Sequence, residues 1–476
     1  MSLKVGVFGG AVLLLVGCVG PAPARSTPDS LAVPETWRSS GALNQTTLND
    51  AFWWEAFSSS ELEAMLEEAF LGNPDLQSLS ARVEAAGASA RIAGANLYPS
   101  VSAGLDGSRR KQNFIGFPIP GSTSNVLSTQ ATTYGLSLAT SWELDLWGRV
   151  RAGKRAAMAD SEAAVADYEM QRLSLAAQVS KAWIGAIAAK RQRILAERSA
   201  QSFADTAAKV RSRYEQGLRS ALEYQLSRNS AATAKALVVE RQQQELQSIQ
   251  QLELLLGRYP AGQLEIADEL PVVEGEVGAG IPSMLLLRRP DLLAAERRLA
   301  AADQRLWESR ASLFPQISLS GSTGTSTAEL RDVLDTDFSV WTLAGNLAQP
   351  IFQGGRLRAG VDLSKSRIKE AAAQYLSTVL RAFGEVEFGL ASESFLKERE
   401  SHIADAAMQS AAALAVANRR YESGLEELIN VLESQRRSLG DATQVIAIQQ
   451  ARLNNRIDLF LALGGNSSAS ETPLER

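Results

Sequence analysis

One cysteine and one histidine in 476 residues remove several chemistries at the outset. No intrachain disulfide can form, and no His/Cys cluster can be assembled for zinc. A Ser-His-Asp triad would have to be built on His402, which lies inside an Ala-rich, helix-forming stretch. The acidic residues are plentiful but spread along helix-like segments, where paired carboxylates are usually solvated faces. Aromatics are only 6% of the chain, the net charge is −5, and there are no Lys/Arg clusters, so the electrostatic footprint of a nucleic-acid binder is missing. The segment GRVRAGKR from Gly148 comes close to a phosphate-binding loop but ends in Arg155 where Ser or Thr is needed. Catalysis, metal binding and cofactor binding are therefore not expected. Protein, membrane and small molecules remain as partners.

Proline is also missing where it matters: none occurs from Gly121 to Tyr259, nor from Ile351 to Thr472. Proline breaks helix interiors, so such gaps permit very long helices. The 66 residues from Arg149 to Tyr214 would span about 100 Å as one helix, and Arg356 to Tyr421 has the same length. Both are rich in Ala, Gln, Glu, Arg and Lys, with few large side chains, so neighbouring helices can approach closely.

No apolar run is long enough to cross a bilayer comfortably as a helix. The longest, VGVFGGAVLLLVG after Lys4, has the size of a signal-peptide core, which assigns 1–17 to a signal peptide. It ends in Leu15-Val16-Gly17-Cys18, which resembles the bacterial lipobox. That resemblance implies a diacylglycerol and an N-acyl chain on Cys18, and Val19 in place of Asp implies the outer membrane. The alternative is a plain signal peptide followed by an incidental cysteine. Residues 18–36, rich in Pro, Ser and Ala, read as a tether, with folded structure starting near Trp37.

The chain repeats itself. RYEQGL from Arg213 returns as RYESGL from Arg420, and GRVRAG from Gly148 returns as GRLRAG from Gly355, both 207 residues later. NPDL from Asn73 returns as RPDL from Arg289, and Leu97 and Pro99 meet Leu313 and Pro315, at an offset of 216. Two tandem halves explain this series, with a length change between Pro99 and Gly148. Residues 37–270 form the first half, with strands expected at about 99–113 and 132–147 and helices at about 149–214 and 219–257. Residues 271–465 form the second, with strands at about 314–327 and 338–350 and helices at about 355–421 and 426–463. Residues 466–476 are a tail.

The strand segments alternate with period two. Tyr134, Leu136, Leu138, Trp142, Leu144 and Leu146 interleave with small or polar residues, and Val101, Ile317, Trp341 and Leu347 belong to similar patterns. Such strands fit either a transmembrane β-barrel or a soluble sheet with one wet face. Four strands cannot close a barrel, so a membrane setting demands an oligomer: eight strands from a dimer or twelve from a trimer.

WWEAF (Trp53 to Phe57), IPSMLLLRRPDLLAAERRL (Ile281 to Leu299), PIFQGGRLRAG and RYESGLEELINVLESQR resemble the outer-membrane efflux duct family, TolC-like proteins, and within it the NodT-type lipoproteins of resistance-nodulation-division pumps. The resemblance covers essentially the whole mature chain. It implies an α+β membrane protein: a homotrimeric duct with a 12-stranded β-barrel (4 strands per chain), a long periplasmic α-helical barrel and a mixed equatorial domain. It implies a passive exit for small molecules, partnered by a periplasmic adaptor and an inner-membrane pump. A type I protein-secretion or metal-ion efflux duct is the alternative within transport, and a lipid-anchored periplasmic coiled-coil scaffold the alternative outside it. The resemblance further implies adaptor docking at Gly217, Leu218, Gly424 and Leu425. It places a periplasmic gate at Asn430 and Glu433, held shut by inter-helix hydrogen bonds from Arg213, Tyr214, Arg420 and Tyr421.

Overall fold

A computed structural model describes residues 34, 36–38, 52–115, 126–272 and 282–465. Cys18, the signal peptide, most of the tether and the tail 466–476 lie outside these residues. Two compact units can be distinguished, and the two longest helices run through both.

The first unit draws on Glu84–Glu162 and Glu296–Gln374. It contains β1 (Ser100–Ile115), β2 (Val126–Leu144), β3 (Gln316–Thr325) and β4 (Ser339–Ala348), forming one antiparallel sheet in the order β1-β2-β3-β4. Register puts Val101, Leu105, Leu136, Leu138, Trp142, Ile317, Leu319, Leu343 and Leu347 on one face. Ser102, Gly104, Ser137, Ser141, Ser320, Ser322 and Asn346 fall on the other. The apolar face is largely exposed, and among the described residues the outer edges of β1 and β4 carry no partner strand.

The largest departures from the sequence expectation are at the two ends of β2. β2 ends at Leu144 rather than near 147, because Asp145 accepts from the backbone N–H groups of Val150 (3.0 Å) and Arg151 (2.9 Å) and so opens the next helix. Leu146 is thus part of the turn, not of the alternating strand. β2 also begins six residues before 132, since its ladder with β1 continues through polar residues such as Gln130 and Thr129, where no apolar alternation marks a strand.

Helices α2 (Pro74–Ala95) and α6 (Pro290–Ala311) enter the strand pairs, and α3 (Arg149–Glu215) and α7 (Arg356–Glu422) leave them. The corners match bond for bond. Trp142 Nε1 donates to the Leu97 carbonyl at 3.0 Å, and Gln349 Nε2 donates to the Leu313 carbonyl at 3.2 Å. Each member of the second bond lies 207 or 216 residues after its counterpart in the first.

The second unit draws on Leu31–Val83, Ala163–Ala295 and Tyr375–Arg476. It holds α1 (Ser60–Gly72), α4 (Ala221–Leu255), α5 (Pro282–Arg288) and α8 (Leu428–Ala462), with most of α3 and α7. Its main core joins Trp53, Phe57, Leu62 and Leu66 to Trp183, Ile184, Ile187, Leu252 and Ile457. Trp37 packs in a neighbouring cluster with Leu292, Val379 and Val386. The residues following α4 are pinned by Glu253, whose carboxylate accepts from the backbone N–H groups of Gly262, Gln263 and Leu264 at 2.6, 3.0 and 3.2 Å. Asn73 Nδ2 donates to the Leu255 carbonyl at 3.0 Å at the end of α4, and Arg289 Nη1 donates to the Ala462 carbonyl at 3.1 Å at the end of α8. The NPDL and RPDL motifs therefore tie equivalent helix ends. Among the described residues no helix is long and apolar enough to cross a membrane.

Candidate functional site

The two RYE-x-GL stretches make the same turn. α3 ends at Glu215, and Gly217 takes φ +71°. Its N–H donates to the Tyr214 carbonyl at 2.9 Å, and the Leu218 N–H donates to the Arg213 carbonyl at 2.8 Å. After α7, Gly424 takes φ +76°, with the corresponding bonds to Tyr421 (3.1 Å) and, from Leu425, to Arg420 (2.9 Å). This paired closure satisfies orphan carbonyls and needs a left-handed residue, which glycine adopts without a Cβ clash. A Cβ added at either glycine would meet nothing within 4 Å, so the backbone angle alone demands glycine. Leu218 and Leu425 stand 67% and 70% exposed, one apolar side chain on each turn.

The restarts differ. Ser220 opens α4 with a capping box, bonded reciprocally to Glu223. Glu427 opens α8 with no side-chain cap. Its neighbour Glu426 instead accepts from Asn430 Nδ2 at 2.6 Å and from Arg420 Nε at 3.2 Å. The Asn430 amide, helped by the Glu427 backbone and Arg420, holds the Glu426 carboxyl below the usual range.

Tyr421 joins the two turns. It is 3% exposed, with the guanidiniums of Arg213 and Arg219 each over its ring, at 5.2 and 5.1 Å. Arg213 also donates to the carbonyls of Tyr421 (3.5 Å) and Glu422 (3.4 Å). Lys209 Nζ donates to Glu422 Oε1 at 2.7 Å, and that hydrogen bond and charge hold the Glu422 carboxyl below its ordinary value. Beneath, Phe203, Val210, Leu428, Val431 and Leu432 form a small core. Gln435 in α8 crosses to α3, donating to Ser202 Oγ at 2.9 Å and Thr206 Oγ1 at 3.0 Å.

Of the four residues expected to supply inter-helix hydrogen bonds, only Arg213 crosses from one turn to the other through its side chain. Arg420 bonds within its own turn, to Glu426 and the Leu425 carbonyl. Tyr214 stacks on Tyr224 at 5.1 Å instead of bonding across, and the buried Tyr421 hydroxyl has no hydrogen-bond partner. Both tyrosines make their contacts through the ring faces, Tyr421 to the guanidiniums of Arg213 and Arg219 and Tyr214 to the ring of Tyr224. Glu433 is exposed and pairs with Arg436 at 3.1 Å, one helical turn away. Sequence reasoning passed over Lys209, Arg219, Glu422 and Gln435. Glu422 lies inside the second RYE-x-GL motif and Lys209 four residues before the first, but nothing in either segment marks them as partners.

The described residues thus combine a four-stranded sheet with an exposed apolar face and two matched pairs of very long helices. Sequence comparison gives the class. The chain matches the family described as outer membrane efflux protein over residues 65–258 and 281–465. It is 33% identical over 464 residues to outer membrane protein OprJ of Pseudomonas aeruginosa, covering 97% of this chain and 95% of that one. It is also 33% identical to the pyoverdine export outer membrane protein OpmQ of the same organism, across the full length of both. The solved outer-membrane channel OprN superposes with a TM-score of 0.85 at 25% identity, covering 94% of this chain and 99% of that structure. The chain belongs to the outer membrane efflux protein family. It is an outer-membrane channel protein of an efflux system, not an enzyme, and its family requires no cofactor.

Proposed function

We propose that three copies form a passive exit duct of a tripartite efflux pump for drugs and other small toxic compounds. Their sheets close into a twelve-stranded barrel in the outer membrane, and their long helices form a periplasmic α-barrel over an equatorial layer. Each chain contributes two tandem halves, 37–270 and 271–465. The observation that carries this reading is the sheet: one continuous exposed apolar face and two open edges, which hydrocarbon does not tolerate unless they are paired. The band from Leu144 to Tyr134 covers ten steps of β2, roughly 33 Å, or about 25 Å of height at a tilt near 40°. That is the height of an outer-membrane barrel's apolar belt.

On this reading Gly217, Leu218, Gly424 and Leu425 form the rim on which a periplasmic adaptor docks, and an inner-membrane pump of the resistance-nodulation-division type supplies the energy. Cys18 carries the acyl anchor. Asn430 and Glu433 line the periplasmic aperture. Arg213 and Tyr421 tie the two turns together beside it, Arg420 and Tyr214 hold their own turns, and Arg436 moderates the repulsion among three Glu433 carboxylates. The test is whether outer-membrane fractions contain a trimer that migrates differently before and after heating. A protein released in soluble form once its anchor is removed would instead support a periplasmic scaffold.

A further inference from the structure

The repeat offsets predict strand register inside the chain, so they can be carried to the edge where the chain stops. Moving β1 residues forward by 216 and β2 residues by 207 takes the pair Ser100↔Ser141 to Gln316↔Ala348, the observed β3–β4 pair. The corner bonds from Trp142 and Gln349 obey the same offsets. In a ring of identical chains, each made of two like halves, the junction β2–β3 inside a chain alternates with the junction of β4 to β1 of the next copy.

We infer that the β4 edge pairs with β1 of a second copy in one register, with Leu347 opposite Leu105 and Asn346 opposite Asp106. This rests on the closed-barrel reading above and gives it a residue-level form. The pairs come from Thr140↔Gly321 and Ala139↔Ser322, each β2 member moved forward by 207 and each β3 member back by 216. The register keeps each face whole: Leu347 and Leu105 both lie on the apolar face, and Asn346 and Asp106 on the polar face. A one-residue slip would set Leu105 against Asn346 or Ala348 and turn one strand inside out.

The corner beyond β4 supports the same placement. Inside the chain, Trp147 stacks on Phe314 at 5.1 Å and donates to the Pro315 carbonyl at 2.7 Å, sealing the junction. The counterpart of Phe314 is Tyr98, which is 71% exposed, while the counterpart of Trp147 is Gly354 and can cover nothing. Phe352, 88% exposed, falls opposite Ser100 when the register is continued. Tyr98, Pro99 and Ser100 line a cavity of about 820 Å³ there, with Trp142, Arg149 and Glu308 on its other sides. Phe352 of the next copy fills the aromatic position that Trp147 fills within the chain.

The test is oxidative cross-linking of the full-length protein in outer-membrane vesicles, with Asp106→Cys and Asn346→Cys together in each chain. Tyr134 and Thr327 exchange both backbone bonds (2.7 and 2.9 Å), so the Ala139↔Ser322 pair five steps along is a closely spaced, non-hydrogen-bonded one. Its counterpart is therefore suited to a disulfide. Ser108→Cys with Ala344→Cys tests the same register if the first pair fails to insert. Gly104→Cys or Ser108→Cys, each combined with Asn346→Cys, represent slips of two residues. The expected result is a covalent ring from the matched pairs, formed at least tenfold faster than from the slipped ones, and a lower dissociation temperature for Phe352→Ala. A slipped pair that cross-links faster overturns this register but leaves the barrel standing. No cross-link between copies from any pair overturns both.

Discussion

Arg289 shows how much one motif residue can carry. Its guanidinium is buried, forks onto Asp291 at 3.0 and 2.8 Å, and reaches Glu385 at 2.6 Å as well as the Ala462 carbonyl. Burial works against its charge, but the two carboxylates more than compensate and hold its pKa above the usual arginine value. Arg289→Ala leaves both carboxylates and a helix-terminal carbonyl without this donor. A loss of about 2–4 kcal/mol is expected, read as a lower unfolding temperature with the channel's conductance otherwise unchanged.

Glu422 belongs to the same scale but senses pH. Its folded carboxyl lies below the ordinary 4.5 because Lys209 donates to it, with Arg213 adding a smaller electrostatic pull. A depressed carboxyl contributes stability that is fully present above the unfolded value and is lost as pH falls through the folded one. The link between the two turns should therefore hold at neutral pH and weaken progressively below about pH 4.5. Channel opening should rise with acid over that window, and Glu422→Gln should remove the part of the response that this link supplies. Bilayer recordings from pH 7 down to pH 3.5 would check it, an unchanged acid response in Glu422→Gln arguing that the opening comes from elsewhere.

At the scale of elements, the turns separate structural from docking demands. Gly424→Ala in the isolated chain meets no neighbour and costs only the left-handed backbone, about 1–2 kcal/mol. If an adaptor's backbone or side chains seat against that glycine, efflux should fall by tenfold or more while trimer and barrel persist. An equal loss of trimer would mark the glycine as structural only. Drug accumulation in cells, measured beside trimer content, distinguishes the two.

The elements were legible in the sequence because their signals are local. Long proline-free, Ala-rich stretches wrote α3 and α7, and the recurring Gly-Leu pairs marked where each stops. The first part of β2 was not legible, because Thr129, Gln130 and Thr132 pair with β1 through the backbone and show no apolar alternation. At the turns, the motif residues were visible but their bonding was not. Whether Tyr421 is bonded through its hydroxyl or packed under the guanidiniums of Arg213 and Arg219 depends on side chains brought in from about two hundred residues earlier in the chain. The Gln435 crossing to Ser202 and Thr206 is equally long-range, with no spacing rule to announce it.

At the scale of the whole molecule, strand pairing, exposed apolar face and helix turns all fit the proposed trimeric duct. The sheet has edges that need partners, and the turns carry exposed leucines at the end of long helices. On the proposed reading, the pore closes at the second helix turn. The most direct test is single-channel conductance of the purified protein in a planar bilayer, wild type against the double variant Asn430→Ala, Glu433→Ala. The prediction is a small, cation-sensitive wild-type conductance that rises severalfold in the variant. Inserted, trimeric protein that conducts no ions in either form would contradict it.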